Sequence, residues 1–146
     1  MRAKLLHESK GQRTFAVVLA TGDEVMENLL SFAREHGIGA AGLNAIGALR
    51  RATVAYFDWE RREYMPIRID EQLEVLSLSG DIALDEENQP RVHLHATLGK
   101  RDGSAWGGHL LEAKVRLTLE VIVTEPPPPL HRRLDPESGV ALIDLS

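Results

Sequence analysis

The clearest alternation of apolar and polar positions lies near the C-terminal end of the chain. Val115, Leu117, Leu119, Val121 and Val123 alternate with Lys114, Arg116, Thr118 and Glu120. A period of two over this length predicts a strand in a sheet wetted on one face. Shorter apolar, β-branched runs predict strands at residues 14–20, 52–57, 63–69, 73–78, 82–84 and 91–98, with the last strand spanning 109–123 after a glycine-containing loop at 99–108. Gly80 reads as a bulge or bend between two of them. A helical period occurs once: Val25, Leu29, Phe32, Ala33 and His36 form one stripe, widened by Met26 and Leu30. Thr21 with Glu24 fits a capping box, and Gly37 supplies the left-handed C-cap, so one main helix is expected over about residues 23–36. His36 falls in its last turn, where the helix dipole favours it.

Residues 38–49 are small and glycine-rich, a strand that lets a backbone, a helix or a second subunit approach closely. No Gly-Lys-Ser/Thr ends this run, so it is not a phosphate loop. The prolines at 126–129 end the sheet, and residues 130–146 show no period. The expected fold is α+β: one compact domain with a largely antiparallel sheet packed with the single helix. Residues 1–124 form the domain, and 125–146 form a proline-rich tail that lies either free or against a neighbour. The small-residue surface makes self-association an expectation.

Composition narrows the chemistry. The 146 residues include no cysteine, so disulfides and thiolate metal sites are excluded. Seventeen Lys and Arg against 22 Asp and Glu leave a net charge of −5, which runs against nonspecific binding to nucleic acid. Arg50, Arg51, Arg61 and Arg62 are the one candidate basic patch, or else a solvated strand end and turn. No apolar run reaches the ~18 residues of a membrane span, and the first residues lack the apolar core of a signal peptide. A cytoplasmic location is expected. Trp59 and Trp106 fall in predicted turns, as binding-surface or half-buried aromatics.

The chemically loaded feature is His93-Leu94-His95, followed by His109. Residues two apart on a strand share a face, which suits two imidazoles converging on one ion, while Val92, Leu94, Ala96 and Leu98 point into the core. A bare His-x-His is equally a polar strand face. Strict parity puts His109 on the face of Val115 and Leu117, so joining the pair requires a bulge or irregular start at Gly107-Gly108. Three His without Cys describe a tetrahedral site with one open position. Glu74, Asp102 and Glu112 are the candidate supporting or base carboxylates.

Several ordered segments resemble one family. They are Gly22-Asp23-Glu24-Val25, Ile46-Gly47-Ala48-Leu49, Glu74 to Gly80, His93-Leu94-His95-Ala96, Asp102-Gly103, Gly107-Gly108-His109-Leu110 and Glu120-Val121. Over residues 5 to 124 they are similar to the PPC (plants and prokaryotes conserved) domain. In plants that domain follows the AT-hooks of nuclear DNA-binding proteins. The resemblance implies a homotrimer and, as in prokaryotic members, a bound metal, taken as Zn²⁺, on His93, His95 and His109. It implies no enzymatic activity. The Arg-Gly-Arg-Pro core of an AT-hook is absent from the chain. Direct reading of DNA therefore lacks its usual element, and a DNA-associated role would rest on the trimer surface.

Overall fold

The computed structural model describes residues 1–146. Nine strands and one helix follow in the order β1 (Arg2–Ser9), β2 (Gln12–Ala20), α1 (Val25–His36), β3 (Ala40–Asp58), β4 (Glu63–Ile69), β5 (Leu73–Leu84), β6 (Pro90–Gly99), β7 (Ala105–Glu125), β8 (His131–Leu134) and β9 (Ala141–Asp144). The fold is a single compact domain dominated by sheet, with one helix. Every strand pairing is antiparallel except the single β5–β8 contact between Leu84 and His131. The strands β3, β5, β6 and β7 form a closed circuit, because β3 and β6 each pair with both β5 and β7. Closure leaves no free edge between them and encloses the core.

The helix ends at His36 as expected but starts at Val25, two residues later, because its cap changes. Glu24 is the N-cap, its carboxylate accepting from the Glu27 N–H at 2.7 Å and from the Ala113 N–H at 2.9 Å. Thr21 bonds instead to the backbone of Leu117. A longer acidic side chain at the cap satisfies an orphan helix donor and ties the helix start to β7 at once. Gly37 closes the helix at φ 62°. Val25, Leu29, Phe32 and Ala33 are buried, and the helix packs on β6 and β7. His36 bonds to the carbonyl of Phe32 and packs against Phe15 and Phe32.

Three segments depart from the sequence expectation. The first residues form β1, exposed along its whole length; the adjacent Leu5 and Leu6 give no alternation, so pairing with β2 alone makes it a strand. Residues 40–58, by contrast, run as one strand, with 52–57 continuing the small-residue segment. The predicted loop is shorter, since β7 starts at Ala105 and includes Trp106. Beyond the prolines, residues 131–144 form the β8–β9 hairpin where no period is visible. It is held to the body by the Leu84 N–H donating to the Leu130 carbonyl and the Leu130 N–H donating to the Gly39 carbonyl.

Gly80 is neither bulge nor bend. The ladder runs evenly from Leu78–Ala96 through Gly80–Leu94 to Leu84–Pro90, and the irregularity of this pair lies between Val75 and Ser77. A Cβ at Gly80 would lie 1.9 Å from the His93 carbonyl oxygen. The glycine is there for close backbone approach, directly beside the histidines.

Candidate metal centre

On β6, Leu94, Ala96 and Leu98 are buried while His93 and His95 are half-buried and exposed. The alternation therefore sends both imidazoles away from the helix-covered core, as the sequence predicts. β7 brings the third. His109 sits in register with His95 of β6 on one side and Ala55 of β3 on the other. The ladder from Ala105 to His109 is regular. The parity shift lies instead at Leu111, an extra residue between the Val54–Leu110 and Thr53–Glu112 pairs. So the expected irregularity exists, but it follows His109 rather than preceding it at Gly107-Gly108. The two glycines serve close packing instead. A Cβ on Gly107 would lie 2.7 Å from the Ala96 oxygen and one on Gly108 2.6 Å from the Ala55 oxygen. Their bare backbone lets β7 fit between β3 and β6.

The three rings converge, with centroids 5.1 Å (93–95), 5.0 Å (93–109) and 5.5 Å (95–109) apart. One nitrogen from each lies within 4.8 Å of the others. Tyr64 of β4 stacks on His109 at 4.4 Å and 27°, covering one face of that ring. Behind His93 stands Asp81, its cross-strand partner on β5, with Oδ2 3.8 Å from Nδ1. Arg132 of β8, 9% exposed, donates to both oxygens of Asp81 at 2.8 Å and lies 3.0 Å from His93 Nδ1. Burial opposes ionisation of Asp81, but the nearby His93 ring and the hydrogen bonds from Arg132 outweigh it and hold the carboxyl below its usual range. The pair thus brings little net charge to the histidines.

Electrostatics prepare the rings for a cation. Burial, aided by the charges of His93, His95 and Arg132, pushes His109 down to about 4. Burial and His93 push His95 down as well. An imidazole that resists protonation keeps a lone pair for a metal. His109 Nδ1 is buried without a hydrogen-bond partner, a deficit of about 1–3 kcal/mol that an ion would relieve. Donor set, spacing and orphaned nitrogen all fit a three-nitrogen metal site.

The candidate carboxylates are elsewhere. Glu74 pairs with Gly99 at the far end of β5, Asp102 bonds to Ser104 in its own loop, and Glu112 accepts from Thr53. None reaches the histidines. Asp81, Arg132 and Tyr64 take the supporting positions that sequence reasoning missed. A polar residue interrupting the apolar run of β5 was the only signal for Asp81, and the aperiodic tail held none for Arg132.

A model of the Plants and Prokaryotes Conserved (PCC) domain matches residues 6–127. A crystal structure of a metal-containing protein from Archaeoglobus fulgidus is 37% identical, covers 89% of this chain and 91% of its own, and superposes with a TM-score of 0.82. The plant- and prokaryote-conserved protein of Pyrococcus horikoshii is 29% identical, covers 98% and 94%, and gives 0.84. A bifunctional protein GlmU from a Synechococcus strain is 31% identical over 115 residues, 77% of this chain; the chain spans only 17% of that protein's length. With the model match extending over most of its length, the chain belongs to the plants and prokaryotes conserved domain family.

Proposed function

We propose that the protein is a metal-binding, homotrimeric domain in which His93, His95 and His109 hold Zn²⁺. The single observation that carries this is the convergence of one nitrogen from each ring to within 4.8 Å. Tetrahedral zinc separates two nitrogens by about 3.3 Å, so small ring rotations complete the site. Zinc on three imidazoles supplies a Lewis-acid position for water or a small anionic ligand. The chain's own residues do the rest. Asp81 and Arg132 orient His93, and Tyr64 shields His109. The similarity to the metal-containing archaeal protein supports the reading.

Trimer formation is supported by apolar side chains left uncovered on the sheet. Ile46, Leu76 and Ile122 are 63%, 55% and 47% exposed and line one shallow depression. Contiguous apolar surface of this kind marks an interface. No helix is long and apolar enough to cross a membrane, and the assignment to the cytoplasm belongs to the proposal.

Metal analysis of protein purified without a polyhistidine tag tests the centre. About one zinc per chain is expected, lost in His95→Ala. Wild type holding less than about a tenth of that would refute the site. Light scattering at several concentrations tests the trimer.

A further inference from the structure

A second chemically distinct site lies where β3 and β7 are both irregular. Between the Leu49–Val115 and Arg51–Lys114 pairs, Arg50 is an extra residue on β3; between Leu49–Val115 and Gly47–Leu119, β7 carries extra residues. Such bulges re-aim side chains that a regular ladder would send to opposite faces. Here they gather Arg50, Arg51, Lys114 and Arg116 around a concavity of about 270 Å³, completed by Thr21 and Gly22. The turn before α1 docks onto the β7 edge there, Gly22 N–H donating to the Val115 carbonyl and Val115 N–H to the Asp23 carbonyl.

These four cations form no ion pair within 4.0 Å. The nearby carboxylates each hold another partner, although the Met1 ammonium, helped by the Lys114 charge, lowers the Asp23 carboxyl. Arg51 and Lys114 also border a second small concavity with Glu24 and Glu112. Asp23 accepts from the Ala20 N–H and pairs with the Met1 ammonium, Glu24 caps the helix, and Glu112 takes the Thr53 hydroxyl. Arg51 and Lys114 face each other across the ladder, an arrangement of like charges that destabilises a sheet unless an anion lies between them. The concavity is also held in a costly conformation. Leu117, a non-glycine residue at φ 65°, is clamped by Thr21, whose hydroxyl donates to the Leu117 carbonyl at 3.2 Å and accepts from its N–H at 2.8 Å. A strained residue fixed on both sides, next to four cations that outnumber the carboxylates around them and form no direct ion pair, is characteristic of a binding site.

We infer that the concavity framed by Arg50, Arg51, Lys114 and Arg116 binds a compact polyphosphate anion, such as the diphosphate group of a nucleotide. Three guanidinium forks and an ammonium match the several oxygens of such a group. The size and concavity suit a small molecule rather than a duplex, and the net charge of −5 repels an extended polyanion while a local pocket still attracts a short one. Neither Arg61 nor Arg62, the other half of the patch read from sequence, lines it.

Calorimetric titration with inorganic pyrophosphate tests the inference. Wild type should bind saturably, one per chain. The Arg51→Gln/Lys114→Gln variant should bind at least about tenfold more weakly, the loss of two charge-assisted contacts, while its melting temperature without ligand is equal to or above wild type, because a like-charge pair has been removed. Arg61→Gln/Arg62→Gln should bind as wild type. Absence of saturable binding, or equal affinity in the Arg51/Lys114 variant, overturns the proposal. So does binding that disappears in His95→Ala, which would place the anion on the histidines. So does displacement of pyrophosphate by a short random-sequence DNA duplex at equal phosphate concentration.

Discussion

Replacing Gly80 with alanine tests how backbone spacing sets the histidine geometry. The new Cβ would meet the His93 carbonyl oxygen at 1.9 Å, and His93 C and Leu94 Cα at 2.9 Å. Ordinary contact needs about 3.4 Å, so β5 and β6 must separate locally by about 1.5 Å. Overpacking of this kind costs about 1–3 kcal/mol, and each weakened ladder hydrogen bond adds about 1 kcal/mol. A total near 3 kcal/mol lowers the melting temperature by about 6–12 °C for a chain of this size. The displaced carbonyl belongs to His93 itself. Its shift exceeds the ~0.5 Å tolerance of a preorganised site, so metal affinity should fall about tenfold or more. Gly42→Ala is the matched control, for nothing lies within 4 Å of its added Cβ and its φ is not positive. Thermal melts at one chain concentration and competition with a chromophoric chelator measure both effects. If the two variants melt within about 2 °C of each other, the close approach is not structural and the reasoning fails.

Other substitutions address other links. Glu24→Ala removes the acceptor of two backbone N–H groups, at the helix start and on β7, and should cost about 1–3 kcal/mol by urea denaturation, with Glu24→Gln recovering part. Arg132→Ala leaves Asp81 without its guanidinium partner; it should cost about 2–3 kcal/mol, less than for a fully buried pair because Asp81 stays partly wet, and hydrogen exchange should quicken across residues 131–144. His109 titrates near 4 when folded against 6.5 for the free side chain. The unfolded chain then binds more protons between those values, so metal-free stability is full above about 6.5 and falls as the pH drops toward 4. His109→Asn should flatten that slope in melts across this range.

Legibility along the chain followed the reach of the forces involved. The α1 stripe and its Gly37 cap were readable because helix periodicity and the left-handed cap depend on residues within a few positions. The same holds for the His93/His95 pair, whose shared face is a property of any strand, and for the alternation of Leu94, Ala96 and Leu98 into the core. By contrast β1 is exposed throughout and becomes a strand only because β2 offers its edge. The β8–β9 hairpin likewise takes its place from contacts to Leu84 and Gly39.

The site divides in the same way. Sequence alone determined which imidazoles were available, that two of them share a face, and that no thiolate could join them. The position of His109 was decided by a pairing register between strands, where the extra residue at Leu111 offsets parity on one side without disturbing the ladder to His95 on the other. Asp81, Tyr64 and Arg132 come from β5, β4 and β8, and only closure of the sheet brings them behind and over the histidines. Local periodicity fixes the direction of a side chain relative to its own strand. Which other strand it faces is settled by backbone hydrogen bonds between residues far apart in the chain, and these leave little mark on the order of residues.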